Sequence, residues 1–291
     1  MSSTEAQRAS PLRIGIAGLG TVGAGVARLL AQNRDILSGR AGRKLVLQAV
    51  SARNRSADRG IDLSDVAWYD DPLDLAGDPS VDIVVELIGG EAGVAASLVE
   101  RALRLGKPIV TANKALLASN GAALGRLAAE HGVALGFEAA VCGGIPIIKT
   151  LREGLAANRF ARVSGILNGT CNFVLSQMRA TGQPFAEVLA EAQRLGYAEA
   201  DPTLDIDGFD TAHKLAILAA VAFDIPADLG AIDVEGIRHI SPLDIEYAGE
   251  LGYRIKLLGT AARTPHGIER RVHPTMVAEN APLALVDGAD N

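Results

Sequence analysis

Cysteine is scarce: a chain of 291 residues holds only two, Cys142 and Cys171. They lie far apart and in no metal-like spacing, so neither a disulfide framework nor a zinc site is expected, and a reducing, cytoplasmic setting is. Positive charge is short as well. The formal net charge of −6 leaves no large basic face for nucleic acid or an anionic membrane. Long apolar runs are missing, since the longest, Leu215 to Phe223, is far too short to span a bilayer. The first eleven residues, MSSTEAQRASP, have no apolar core of the kind a signal peptide needs. No internal repeat and no low-complexity tract is found.

What is present suits a packed enzyme rich in turns. Hydrophobic residues make up 48%, charged residues 21%, and there are 32 glycines. The length makes two domains the natural expectation. In the first half, strand-like and helix-like segments alternate. LRIGIAG (12–18), KLVLQAVS (44–51), VDIVVELIGG (81–90), 108–111 and 133–137 read as strands, and 21–32, 92–105 and 114–130 as helices. In the first helix, Val22, Val26, Leu29 and Leu30 are expected on the core-facing side. Near-continuous apolar strands between helices imply a doubly wound parallel sheet of the Rossmann type over 10–137. The pattern loosens afterwards. Strand-like ARVSGIL, helices at 170–180, 184–195 and 209–223, an acidic loop at 197–208, and strands at 253–262 and 267–272 imply an α+β domain over 138–291.

Gly18-Leu19-Gly20-Thr21-Val22-Gly23 fits G-x-G-x-x-G between the first strand and the first helix. The first glycine permits a tight turn, the second lets backbone approach a pyrophosphate, and the third lets helix pack on strand. A glycine turn serving packing alone is the plain alternative. A P-loop is excluded, because the only Gly-Lys pair, Gly106-Lys107, is followed by proline. The second strand ends in Ser51-Ala52-Arg53-Asn54-Arg55, with no carboxylate until Asp58. Arginine there suits a 2′-phosphate, so NADP(H) is expected ahead of NAD(H); two solvated loop arginines are the alternative.

Two places hold candidate acids and bases. Lys114, in Thr111-Ala112-Asn113-Lys114, follows a parallel strand at the edge where open α/β sheets bind ligands. The other is the acidic segment Gly196 to Asp210, followed by Thr211-Ala212-His213-Lys214. An EF-hand alignment fails at both ends, with Thr203 first and Lys214 where a glutamate belongs. Asp210 and Lys214 stand at i and i+4 on one helix face. They form either a surface ion pair or, given the apolar run from Leu215, a partly buried one. His213 reads as a lone histidine beside a core helix.

GLGTVG, VELIGG, KPIVTANKALLA, FEAAVCGGIPII, GILNGTCNF, LGYAEADPTLDIDGFDTAHKLAILA and YRIKLLGTA together resemble homoserine dehydrogenase, in family order and spacing, from about Leu12 to the end of the chain. The resemblance implies reversible hydride transfer between NADPH and aspartate 4-semialdehyde giving L-homoserine, within threonine, methionine and isoleucine biosynthesis. By resemblance, Lys114 and Lys214 are the active-site lysines, Lys214 the proton donor. Glu199 and Asp210 bind the amino and hydroxyl ends of the substrate, and Thr170, Tyr197 and Asp205 line its pocket. Gly196 lies where the family's loop approaches the cofactor. By the same resemblance, Glu138, Val141, Gly143 and Ile145 match positions holding a monovalent cation, sodium, mainly through backbone carbonyls; a glycine-rich hinge is the alternative.

The resemblance further implies a homodimer formed through the second domain. It also implies a chain that stops short of the family's returning C-terminal segment and of a regulatory ACT domain. Other readings are a different two-domain NADP-dependent oxidoreductase, acting on a sugar or imino acid, and a non-catalytic dinucleotide-binding protein.

Overall fold

Six short strands among the described residues of the first 145 run parallel, and they are mostly apolar because helices cover both faces of their sheet. The computed structural model describes residues 10–289, and the chain divides into two units that meet between Ile145 and Pro146. In the first unit, β1 (Leu12–Ala17), α1 (Thr21–Gln32), α2 (Arg34–Ala41), β2 (Leu45–Ser51), β3 (Ala67–Tyr69), α3 (Pro72–Gly77), β4 (Ile83–Glu86), α4 (Val94–Arg104), β5 (Ile109–Thr111), α5 (Lys114–Glu130) and β6 (Leu135–Gly136) follow in order. The sheet order is β3-β2-β1-β4-β5-β6, the order of dinucleotide-binding Rossmann sheets. Side chains alternate between two cores. Ile14, Ile16, Val50 and Val85 pack with Ala27 of α1, while Ala17, Ala49, Val84 and Ile109 pack with α3, α4 and α5.

Helix α4 shows why its sequence is helical. Ala95, Leu98, Val99, Ala102 and Leu103 recur at helical spacing and are all buried, while Glu100, Arg101 and Arg104 face outward. Each fully buried leucine there contributes about 1.5–3 kcal/mol. In α1 the expected face is wrong in part. Val22 and Leu29 are 58% and 56% exposed, and Gly23, Ala24 and Ala27 are buried instead. Close approach of α1 to the sheet needs small residues at the contact, so the bulky ones turn to its margin, where Val26 and Leu30 still pack. Strand β3 and helix α3 were not anticipated. Asp71 caps α3 by accepting from Leu73 N, with Pro72 at its first position.

The second unit contains β7 (Arg162–Gly165), α6 (Gly169–Thr181), α7 (Phe185–Leu195), α8 (Thr203–Ile206), α9 (Phe209–Phe223), β8 (Asp233–Val234), α10 (Pro242–Glu250), β9 (Tyr253–Thr264) and β10 (Gly267–Ala278). Its sheet order is β7-β9-β10-β8, with only β8 and β10 parallel. Helix α8 lies inside the segment read as an acidic loop. Strand β10 continues past the expected end at Val272. Pro274 lies beyond Arg271 and Val272, the two residues paired with β8, where β10 is an edge strand and a missing N–H is tolerated. Helices α6, α9 and α10 pack against β9. Ser164, Thr260 and Arg271 share one face of the sheet by register and line a depression of about 560 Å³.

Residues 286–288 are tied to this unit by a buried lysine. Lys256, 1% exposed, donates to Asn172 Oδ1 and Asp287 Oδ1, each at 3.0 Å, and to the Val286 carbonyl. Asn172 donates to the carbonyls of Val286 and Gly288. Desolvation would raise the Asp287 carboxyl, but hydrogen bonds from Arg179 and Lys256 outweigh it and hold it at about 2. An unfolded aspartate titrates near 3.9. A depressed carboxylate adds stability that is present above the unfolded value and lost as pH falls towards about 2. Because Asp287 is 41% exposed, that contribution is screened to the order of 1 kcal/mol. Asp287→Asn is therefore expected to lower the urea midpoint near neutral pH, with the gap to wild type closing as pH falls to about 2. An equal gap at both pH values would show that the charge is not the cause.

Candidate active site

At the carboxyl edge of the parallel sheet, the turn after β1 is built by its glycines. Gly18 has φ +98°, and a Cβ on it would stand 2.4 Å from the Leu87 carbonyl oxygen. A Cβ on Gly23 would stand 1.9 Å from the Gly18 oxygen, so the first turn of α1 rests directly on the loop. A Cβ on Gly20 would meet nothing within 4 Å, which leaves the N-terminus of α1 open on that side. Leu19 is buried, and Thr21 and Val22 begin the helix.

Beyond β2, Arg53 and Arg55 are both exposed, and the Arg55 guanidinium lies 5.6 Å from the centre of the Trp68 ring. Arg59, which drew no role from the sequence, lies 5.5 Å from the same ring. It donates to the carbonyls of Leu19 (3.0 Å), Ala57 (2.8 Å) and Asn54 (2.5 Å). Those bonds fasten the arginine loop to the glycine turn.

A second pair of loops is fastened by Glu86, fully buried at the end of β4. Its Oε1 accepts from Ile88 N (2.8 Å) and Gly89 N (3.0 Å), and its Oε2 from Thr111 Oγ1 (2.5 Å). Thr111 Oγ1 accepts from Asn113 N, and Asn113 donates to the Gly90 carbonyl while capping α5 through Leu116 N. Lys114 is the residue after that cap, half-buried at the first position of α5. A lone carboxylate inside the apolar run VVELIGG was the available signal for Glu86, since buried acids need partners. Farther along, Glu138 lies in a helical turn with Ala140, and its carbonyl accepts from Val141 N and Cys142 N. Gly143 and Ile145 follow in a stretch where a Cβ on either of Gly143 and Gly144 would meet nothing.

In the second unit, five of the expected residues converge. Lys214 Nζ donates to Asp210 Oδ2 and to the Leu167 carbonyl, both at 2.7 Å, and the pair is 19% and 7% exposed. Asp210 thus belongs to a partly buried pair. Its place in the first turn of α9 favours the carboxylate further. Asp205, on α8, accepts from Asn168 Nδ2 at 2.8 Å and shares the Thr170 hydroxyl, at 3.1 Å, with the Tyr197 carbonyl at 2.8 Å. The Tyr197 ring stacks on Phe173 at 4.7 Å between centroids.

Asn168 also donates to Asp210 Oδ2 at 2.9 Å, and it too had no role assigned from the sequence. Asp207 is turned out of the cluster by an ion pair with Arg238. Glu199 is exposed, and its carboxylate makes no bond to the cluster among the described residues. Gly196, at φ +80°, ends α7. His213 bonds the Phe209 carbonyl, one helical turn back. Burial, then the neighbouring Asp205, pushes the Cys171 thiol up, so it is no nucleophile.

Two family models match the chain. One, described as homoserine dehydrogenase, spans residues 146–291, and the other, its NAD binding domain, spans residues 18–138. A homoserine dehydrogenase from Neisseria gonorrhoeae is 52% identical over 281 residues, covering 97% of this chain and 64% of its own. The chain belongs to the homoserine dehydrogenase family. A crystal structure of a homoserine dehydrogenase from Thiobacillus denitrificans superposes with a TM-score of 0.92 at 51% identity, covering 96% of this chain and 64% of that one. A hyperthermophilic archaeal homoserine dehydrogenase in complex with NADPH superposes at 0.79 with 26% identity, over 96% of this chain and 86% of that one. The chain therefore spans 64% of the length of the Neisseria relative.

Proposed function

We propose that this chain carries the activity of its family, reversible hydride transfer between NADP(H) and the aspartate 4-semialdehyde/L-homoserine pair. The observation that carries the reading is the cluster of Asp205, Asp210 and Lys214, partly buried and linked by Asn168. Two carboxylates and one ammonium suit a substrate with its own ammonium and an oxygen that gains and loses a proton. An ammonium has three N–H donors, and Lys214 spends two of them on Asp210 and Leu167. The third is left for the substrate oxygen. In the reducing direction Lys214 donates to the developing alkoxide, and in the oxidising direction it takes the proton back. Asp205, Thr170 and Tyr197 shape the pocket, Glu199 awaits the substrate's amino group, and Lys114 is the second active-site lysine.

A bound nicotinamide dinucleotide supplies the hydride or accepts it. The glycine turn with Gly20 open above it fits the group, and Gly196 belongs to the same reading. The archaeal relative's bound NADPH supports the phosphorylated coenzyme, as does the absence of a carboxylate at the end of β2. With Arg59 committed to backbone carbonyls, Arg53 is the free reader of the 2′-phosphate and Arg55 its neighbour. Arg53→Asp is expected to shift the kcat/KM ratio of NADP to NAD towards NAD by about tenfold or more, the worth of one charged hydrogen bond. An unchanged ratio would move the assignment to Arg55.

Backbone carbonyls of Val141, Gly143 and Ile145 with the Glu138 side chain suit a hard monovalent cation, sodium in this reading. The Glu138 carbonyl is already engaged by two N–H groups. Homodimerisation through the open face of the second unit's sheet, and a cytoplasmic location, complete the proposal. No helix among the described residues is long and apolar enough to cross a membrane. The test is NADP reduction at 340 nm with L-homoserine, run beside sugars and a substrate-free control. Coenzyme binding without homoserine-dependent reduction would reject the enzyme reading in favour of a dinucleotide-binding protein.

A further inference from the structure

Asn168 is uncharged, yet it sits at the centre of the polar cluster and is itself buried. A primary amide offers two N–H donors and a carbonyl acceptor. All three functions are engaged here. One N–H reaches Asp205 Oδ1 at 2.8 Å, the other Asp210 Oδ2 at 2.9 Å, and the carbonyl accepts from Cys171 N at 2.8 Å, capping α6. This also fixes which way the amide points, because the reverse orientation would set its oxygen against two carboxylates. Asp210 Oδ2 accepts from Lys214 as well, and the second acceptor of Lys214 is the carbonyl of Leu167, the residue before Asn168.

We propose that Asn168 is the positioning residue of the substrate site: its amide holds Asp205 and Asp210 at a set separation and so aims the Lys214 ammonium. The inference rests on the reading of Lys214 as the proton-transfer group. Two carboxylates on the successive helices α8 and α9 repel each other, and a neutral donor to each satisfies them without a mobile ion or water between. Out of water such shared bonds are stronger than at the surface, and without the amide each carboxylate keeps another donor, Thr170 for Asp205 and Lys214 for Asp210, but loses the bridge to the other. Lys214 then has a single N–H direction left for substrate.

The cap and the bridge can be separated. In Asn168→Ser the hydroxyl oxygen still caps α6, since serine is among the preferred N-cap residues, but both amide donors are gone. Asn168→Asp keeps the cap, removes the donors and adds a third negative charge. The serine variant is expected to melt within a few degrees of wild type and to bind NADPH unchanged. Its kcat should fall about 10- to 100-fold, the scale of a misplacement near 1 Å. The aspartate variant should fall at least as far. Reductive methylation of Lys214, read by mass spectrometry, should run several-fold faster in the serine variant, and this readout does not depend on turnover. A kcat within about twofold of wild type in either variant that folds, or an unchanged methylation rate in the serine variant, overturns the proposal. A wild-type chain that binds NADPH without oxidising homoserine overturns the functional reading instead, while the methylation contrast still decides the role of Asn168.

Discussion

Lys214→Met is expected to lower kcat for homoserine oxidation by about two to four orders of magnitude, the usual contribution of a positioned acid or base. Methionine keeps the length and the apolar contacts of the side chain while removing all three donors. Asp210 would retain its bond from Asn168, so the buried carboxylate is not orphaned and the fold should survive. On the proposed reading the coenzyme is held by the first unit's glycine turn, so the dissociation constant for NADPH should stay within about twofold. The measurements are steady-state kinetics and a fluorescence titration on the same preparation. A kcat within tenfold of wild type would remove Lys214 from the chemistry.

Gly23→Ala is expected to be the most damaging single methyl group in the first unit. Its Cβ would stand 1.9 Å from a backbone oxygen, that of Gly18, which has no rotamer to change. Either α1 must lift from the sheet or the turn must reshape, and overpacking of this kind costs about 1–3 kcal/mol and occasionally more. For a unit of this size that corresponds to a fall in Tm of roughly 3–10 °C, accompanied by loss of NADPH binding. Gly20→Ala provides the contrast. Its Cβ would meet nothing, so Tm should hold, yet the methyl group would occupy the space through which backbone approaches a pyrophosphate. Weakened NADPH binding at unchanged Tm is the expected outcome for Gly20→Ala. An unchanged Tm in Gly23→Ala, or unchanged binding in Gly20→Ala, would contradict the respective role.

Three helices have the limits expected from sequence, Thr21–Gln32, Lys114–Glu130 and Phe209–Phe223, and the last two have clear start signals: the Asn113 cap before one and Gly208 before the other. Periodicity served less well in α1, because a contact with a sheet is decided by the smallest residues and not by the largest. Strand β3 and helix α3 are too short to show a period at all. Helix α10 carried a legible signal that went unread, the capping box of Ser241 and Asp244.

At the site, the charged residues of the acidic motif announced themselves, and Asp205, Asp210 and Lys214 do converge. Asn168, which holds the two carboxylates, carries no charge and so shows in no charge pattern. In the first unit Arg59 acts on backbone carbonyls that no side-chain pattern displays, whereas Glu86 did stand out as a lone carboxylate in an apolar run. Glu199, charged and exposed, shows the reverse: its residue type suits a ligand, but its neighbours in the folded chain do not yet engage it.

The two sheets also differ in how far apart along the chain their partners lie. In the second unit β9 and β10 are joined through Pro265 and His266, and their pairing can zip from the turn outward. In the first unit Ile14 must wait for Leu47 on one side and Ile83 on the other, and Val84 for Ile109, before the central strands are paired along both edges. Hairpins close in microseconds, whereas parallel sheets bear the entropy of long loops before any contact rewards them. During synthesis the slower unit is also the one that leaves the ribosome first. Strand β1 can pair first with β2, but its other edge stays open until β4 is made, and that span is when this chain is most open to capture by another copy of itself or by a chaperone.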